Sequence, residues 1–128
     1  MFLKLGHTNL DVFKYSYALT LEAYRVTKIL PNDEKFNLVS QIRRAALSVH
    51  LNIAEGSSRK SEVERKRYYE IARGSLIEGD TAIGVAFGLE YVSFDQVEKL
   101  GEIIVNTFKV LTGLMNPNKH DDEKLTDN

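Results

Sequence analysis

The residues with the widest chemical repertoire are sparse and scattered along this 128-residue chain. Its three histidines, His7, His50 and His120, lie far apart in sequence, and cysteine is absent. His50, Asn52 and Glu55 place a ring nitrogen, an amide and a carboxylate within six residues of one predicted helix. Positions five apart on a helix do not share a face well, so His50 and Glu55 make a poor ligand pair. His50 therefore reads as a partly buried, hydrogen-bonded side chain. A carboxylate di-metal bundle needs Glu-x-x-His on each of two helices. No glutamate here has a histidine three residues later, which leaves Glu55, Glu70, Glu78 and Glu90 with surface or helix-capping roles. A phosphate-cradling glycine loop, a His-Glu-x-x-His pair and a Gly-x-Ser-x-Gly elbow are also missing. The expectation is no catalytic residue, no cofactor and no metal site.

Two other sets of residues remain as candidates. Asn52 and Glu55 sit about one turn apart on an otherwise apolar segment, where polar groups are costly unless paired. The structural reading has Asn52 bonding the backbone of a neighbouring helix, with Glu55 pairing with Arg59 or Arg73 or capping the amides of Ser57 and Ser58. The functional reading makes them a ligand or partner contact. The second set is the basic stretch Arg59, Lys60, Arg65, Lys66 and Arg67, with Tyr68 and Tyr69 beside it and Arg43 and Arg44 one helix earlier. Cations suit phosphate contact and exposed tyrosine suits base stacking. Glu62 and Glu70 lie four residues either side of Lys66, so the same run also reads as an ion-paired helix face.

Positioning these residues requires helices. Asn9 is placed to cap a first helix over about Leu10 to Ile29, with Leu10, Phe13, Ala18, Leu21 and Tyr24 as its apolar positions and Pro31-Asn32-Asp33 as its stop. A second runs from about Lys35 to Glu55. Its apolar set, Leu38, Val39, Ile42, Ala45, Ala46, Val49, Ile53 and Ala54, is widened by Leu47 and Leu51, which leaves little solvent face and predicts cover by other helices or another subunit. Gly56-Ser57-Ser58 reads as a terminator and connector. Ser61 and Glu64 form the pattern of a capping box for a third helix reaching about Leu89, roughly 42 Å long. Ser93 and Gln96 form a second such box, opening a fourth helix through Val97, Leu100, Ile103, Ile104, Thr107, Phe108 and Leu111 to Gly113 and Pro117. Short connectors make the helices antiparallel neighbours, an all-α, up-down-up-down four-helix bundle. The expected organisation is a leader over 1–8, the bundle over 9–115 and a flexible acidic tail over 116–128.

The third helix also carries Gly74, Ser75, Gly79, Gly84 and Gly88. An internal glycine costs about 1 kcal/mol of helix propensity relative to alanine, so close packing against a helix or a subunit is the expected compensation.

Composition sets the outer bounds. The chain is 43% hydrophobic and 27% charged, as a globular domain is. Its formal net charge of -1 hides an uneven spread: residues 35–74 carry +5 and residues 75–128 carry -6. That asymmetry suits an anion such as nucleic acid, or the orientation of one subunit against another. No apolar run reaches the roughly 18 residues of a spanning helix, and Met1 to His7 is too short and too soon polar to be expected as a signal peptide. With no cysteine to oxidise, a cytoplasmic location is expected.

Ser40-Gln41-Ile42-Arg43-Arg44-Ala45-Ala46-Leu47-Ser48-Val49, then Asn52-Ile53-Ala54-Glu55-Gly56, then Ala72-Arg73-Gly74-Ser75-Leu76 with Glu78 closely resemble the bacterial four-helix-bundle family encoded within intervening sequences of 23S ribosomal RNA genes, sometimes labelled an S23 ribosomal protein. The resemblance spans about residues 9–115. By position, Gln41, Arg43, Arg44, Asn52, Glu55, Gly56, Gly74, Ser75 and Glu78 match its pattern. It implies a four-helix protomer that assembles into a ring-like homopentamer, with no enzyme activity or cellular role established for the family. More distantly the chain is similar to the pentameric accessory protein of diversity-generating retroelements, which works with a reverse transcriptase and nucleic acid. The chain departs from the family at His50-Leu51, where Pro-Ser or Pro-Ala is frequent, and a straighter second helix is expected.

Two functions follow as expectations: a non-enzymatic oligomeric scaffold or interaction protein, and alternatively an RNA- or DNA-binding homo-oligomer using Arg43, Arg44, Arg59, Lys60, Arg65, Lys66 and Arg67.

Overall fold

The computed structural model describes residues 1–116 of the chain, the Asn9 side chain excepted. Four helices carry the fold: α1 (Asp11–Thr27), α2 (Leu38–Ser57), α3 (Glu62–Gly88) and α4 (Phe94–Met115), with 3-10 turns at Gly6–Asn9 and Asn32–Glu34. No strand occurs among the described residues. α1 packs against α2 and α4, and α3 packs against the same two, which closes an antiparallel up-down-up-down bundle. The acidic tail expected over 116–128 lies outside the described residues, Asn116 excepted.

The core runs through all four helices. Leu19, Ala23 and Val26 of α1, Ile42, Val49 and Ile53 of α2, Ala72 and Leu76 of α3, and Leu100, Ile104 and Leu111 of α4 belong to one buried cluster. In α1 the buried face is not the one read from the apolar spacing. Leu10, Leu21 and Tyr24 are exposed, while Val12, Ser16, Leu19, Ala23 and Val26 are buried. The true stripe passes through polar residues that satisfy themselves along the helix. Ser16 donates to Phe13 O at 3.0 Å, Thr20 to Ser16 O at 2.9 Å and Thr27 to Tyr24 O at 3.1 Å. A hydroxyl bonded to the preceding turn enters a core at little desolvation cost.

Several boundaries shift for local reasons. Leu10, not Asn9, is the N-cap of α1, extended and without a side-chain cap. α2 starts at Leu38 rather than Lys35, because Asn32–Glu34 forms a separate 3-10 turn and Glu34 accepts from the Leu38 amide at 3.3 Å. It then runs without interruption past Gly56 to Ser57. Ser61 caps α3 by accepting from Glu64 N at 3.3 Å, without a return bond from the Glu64 side chain. The Ser93–Gln96 box at α4 is complete.

α3 ends in a Schellman turn, with Tyr91 N donating to Ala86 O at 3.0 Å and Glu90 N to Phe87 O at 2.9 Å. Glu90 holds the left-handed position at φ 64°. Only glycine adopts that conformation without a steric penalty, so Glu90→Gly is expected to raise stability by about 0.5–1 kcal/mol in urea unfolding, less than the full penalty because glycine also loosens the unfolded chain.

Candidate functional site

The residues singled out by sequence collect mainly along the α2–α3 seam and at the corner where the two helices join. Gly56 sets that corner. It is buried, and a Cβ added to it would stand 2.8 Å from Tyr68 Cβ, 3.1 Å from Tyr69 Cε1 and 3.2 Å from Arg65 O. Gly56 is thus not a helix terminator; its missing side chain lets the first turns of α3 approach the end of α2.

That approach organises the groups around it. Ser57 Oγ lies 2.8 Å from Tyr69 Oη. Arg59 pairs with Glu55, donates to Tyr68 Oη at 3.2 Å and rests its guanidinium 5.1 Å from the Tyr68 ring centre. Arg65 donates to the carbonyls of Arg59 at 3.0 Å and Lys60 at 2.8 Å, closing the connector. Arg73 is not the partner of Glu55; its guanidinium lies 4.7 Å from the Phe108 ring centre, on α4.

Asn52 does not reach a neighbouring helix. Its amide donates within α2 to Ser48 O at 2.9 Å and Ser48 Oγ at 3.1 Å, and Ser48 Oγ meets Ser75 Oγ of α3 at 2.8 Å. Asn52 therefore orients the serine that makes the crossing contact. This was not legible in sequence, because serine is too common at helix surfaces to mark a seam. Asn52→Ala is expected to lower stability by about 1 kcal/mol, the loss of one half-buried hydrogen-bonded group. Glu55→Gln removes an exposed ion pair and is expected to change stability by about 0.5 kcal/mol or less. Chemical unfolding of the two variants side by side checks the order. Gln41, Gly74 and Glu78, the other matched positions, are exposed.

The seven cations named as an anion surface are not one patch. Arg43 donates to Thr27 Oγ1 at 2.8 Å and stacks 4.6 Å from the Tyr24 ring, tying α2 to α1. Arg59 and Arg65 are engaged at the corner. Arg44, Lys60, Lys66 and Arg67 are exposed; the last three cluster at the start of α3, while Arg44 lies on α2 about 22 Å along the helix direction from the level of Arg59.

His50 is half-buried against α1. Its Nδ1 lies 2.7 Å from Ser16 Oγ, and its ring packs 4.5 Å from Phe13, which in turn packs 5.1 Å from His7. Ser16 is fully buried, so this Ser–His contact is structural and offers no nucleophile to a substrate. Burial, helped by the charge of His7, holds His50 below the ordinary histidine pKa. On acidification the unfolded chain takes up this proton before the folded one does. The His50 contribution to stability is therefore complete above the ordinary histidine range and declines as pH falls through it. Unfolding between pH 8 and pH 5 is expected to show that decline, and His50→Gln is expected to flatten it.

Glu22 was missed by sequence reading. It is buried on α1, receives both Arg25 Nε contacts at 3.0 Å and Arg25 Nη2 at 2.5 Å, and Arg25 reaches on to Gln96 O of α4 at 3.3 Å. The Arg25 guanidinium holds the Glu22 carboxyl below the usual carboxylate range, against the opposing effect of burial. Its i,i+3 spacing to Arg25 was the one available signal.

Among the described residues no group of three or more histidines, cysteines and carboxylates is placed to hold a metal ion. No described helix is long and apolar enough to cross a membrane. The family profile described as 23S rRNA-intervening sequence protein matches residues 8–113. A solved structure of a protein of unknown function from the S23 ribosomal protein family of Bacteroides thetaiotaomicron is similar at 23% identity and a TM-score of 0.75, covering 81% of this chain and 97% of that one. At that identity the likeness concerns the fold. A search of curated proteins finds no match.

Proposed function

The chain belongs to the 23S rRNA-intervening sequence protein family, and from that premise we propose that it acts as a non-enzymatic, self-associating scaffold. The observation that carries this reading is the apolar surface left uncovered by the protomer: Leu47 and Leu51 on α2, Val63, Ile77 and Val85 on α3, Phe94 and Val105 on α4. With Leu21 and Tyr24 of α1 also exposed, so many large apolar side chains in solvent point to partner surfaces rather than to scattered singles. The glycines of α3 support the same reading. A Cβ added at Gly79 would stand 3.4 Å from Ala45 Cβ, whereas Cβ atoms at Gly74, Gly84 and Gly88 would meet nothing within 4 Å among the described residues. Their helix-propensity cost thus has no compensation among the described residues of one protomer.

The proposed working unit is the 9–115 bundle, in the cytoplasm, assembled as the ring-like homopentamer that the resemblance implies. Light scattering at micromolar concentration tests it, with a multiple of the 14.5 kDa chain mass expected; a clean monomer overturns the reading.

Exposed Lys60, Lys66 and Arg67 at one corner favour a second reading, RNA or DNA binding. Repetition of this small basic patch around an assembly multiplies its effect through avidity. A salt-dependent fluorescence titration with structured RNA and duplex DNA tests it, and absence of binding at low salt eliminates it.

A further inference from the structure

We infer that residues Met1–Leu5 of one copy lie in the groove between α3 and α4 of a neighbouring copy, an inference that rests on the self-association proposed above. The groove is open to solvent, about 830 Å³ in volume, and lies between the second half of α3 and the first half of α4. Ile83, Phe87, Phe94, Val97 and Val105 make it apolar. Gly84 and Gly101 contribute to its walls from opposite helices, and a Cβ on either would meet nothing within 4 Å. No contact among the described residues of the protomer therefore accounts for these glycines, whereas an occupying chain would. Asp80, Glu98 and Glu102 border the groove, and among the described residues no lysine or arginine does, so the occupant should be apolar and cationic.

The N-terminal arm has that character. It is non-helical and precedes the 3-10 turn at Gly6, and Met1, Phe2 and Leu3 are 94%, 85% and 70% exposed. Leu5 is exposed as well, and Lys4 is the arm's one charged side chain. In an extended segment alternate side chains share a side, so Met1, Leu3 and Leu5 can face the apolar floor while Lys4 meets the acidic rim. Lengths agree: five extended residues span about 16 Å, and α4 rises about 16 Å from Phe94 to Val105.

The arm cannot fill the groove of its own protomer. Leu5 and Gly6 lie beside Ser57 and Ser58, at the α2–α3 connector. The groove begins at Asp80, about 27 Å along α3 from Glu62, whereas the arm reaches about 18 Å at most. Its groove must belong to another copy, which makes the contact head-to-tail, of the kind that builds rings.

The test uses the untagged full chain. Equal amounts of isotopically light and heavy protein are mixed, left to exchange, and treated with a zero-length carbodiimide crosslinker. Mixed light–heavy crosslinks from Lys4 to Asp80, Glu98 or Glu102 are expected. In light scattering, Lys4→Glu is expected to raise the concentration at which the assembly dissociates by about tenfold, and Lys4→Glu combined with Glu98→Lys to recover part of that loss. Gly84→Ala with Gly101→Ala is expected to raise the melting temperature of the dissociated protomer, since the added methyl groups meet nothing, while weakening assembly; a purely structural role would move both the same way. A wild-type assembly with no Lys4 crosslink to the three acids, or with such crosslinks only within one copy, overturns the arm contact and leaves self-association standing. So does an assembly that Gly84→Ala with Gly101→Ala weakens but Lys4→Glu does not. A monomeric wild type overturns both.

Discussion

Gly56→Ala is expected to destabilise the protein by about 1–3 kcal/mol, although alanine is the better helix former. The added Cβ would stand 2.8 Å from Tyr68 Cβ and 3.2 Å from Arg65 O. Neither atom can rotate away, because one is fixed to the α3 backbone and the other belongs to it. The two helices must therefore part at this corner, which loosens the Ser57–Tyr69 contact and the Arg59–Tyr68 stack together. Gly74→Ala is the matched control. A Cβ there meets nothing within 4 Å, so the protomer is expected to gain up to about 1 kcal/mol from helix propensity alone. Urea unfolding of both variants measures the contrast; a gain at Gly56→Ala matching that at Gly74→Ala would show that the crossing is slack.

Ile53→Ala is expected to cost about 2–5 kcal/mol, the range for truncating a fully enclosed aliphatic side chain. Ile53 has no exposed surface and belongs to the cluster that joins all four helices. It lies between Asn52 and Glu55 in the stretch that resembles the family pattern, so it also separates packing from polar function there. A large loss at Ile53 beside small losses at Asn52 and Glu55 places the structural weight of that stretch on its apolar residue. Similar losses at all three would instead mean that the polar pair carries more of the corner than its half-exposed geometry implies. Chemical denaturation with circular dichroism reads the series.

Features governed by neighbours a few residues apart were legible in the chain itself. Ser61 and Ser93 marked two helix starts, since a cap acts on amides within one turn. The apolar stripe of α2 named its buried face, because Val39, Ile42, Val49 and Ile53 repeat at helical period with no polar residue among them. The α1 face could not be read, because its core stripe runs through Ser16, Thr20 and Thr27, whose hydroxyls are satisfied locally and so behave as small core residues.

The sequence alone determined four helices, their antiparallel order and the uneven charge along them, because periodicity, capping and short connectors all act locally. Tertiary structure decided which side chains were spoken for. Arg43, Arg59 and Arg65 became supports of the fold while Lys60, Lys66 and Arg67 stayed in solvent, and Gly56 changed from a presumed stop into a crossing point. Those outcomes depend on partners such as Thr27, Tyr68 and Tyr69, brought close only when separate helices pack, and no spacing within one helix encodes the distance between two.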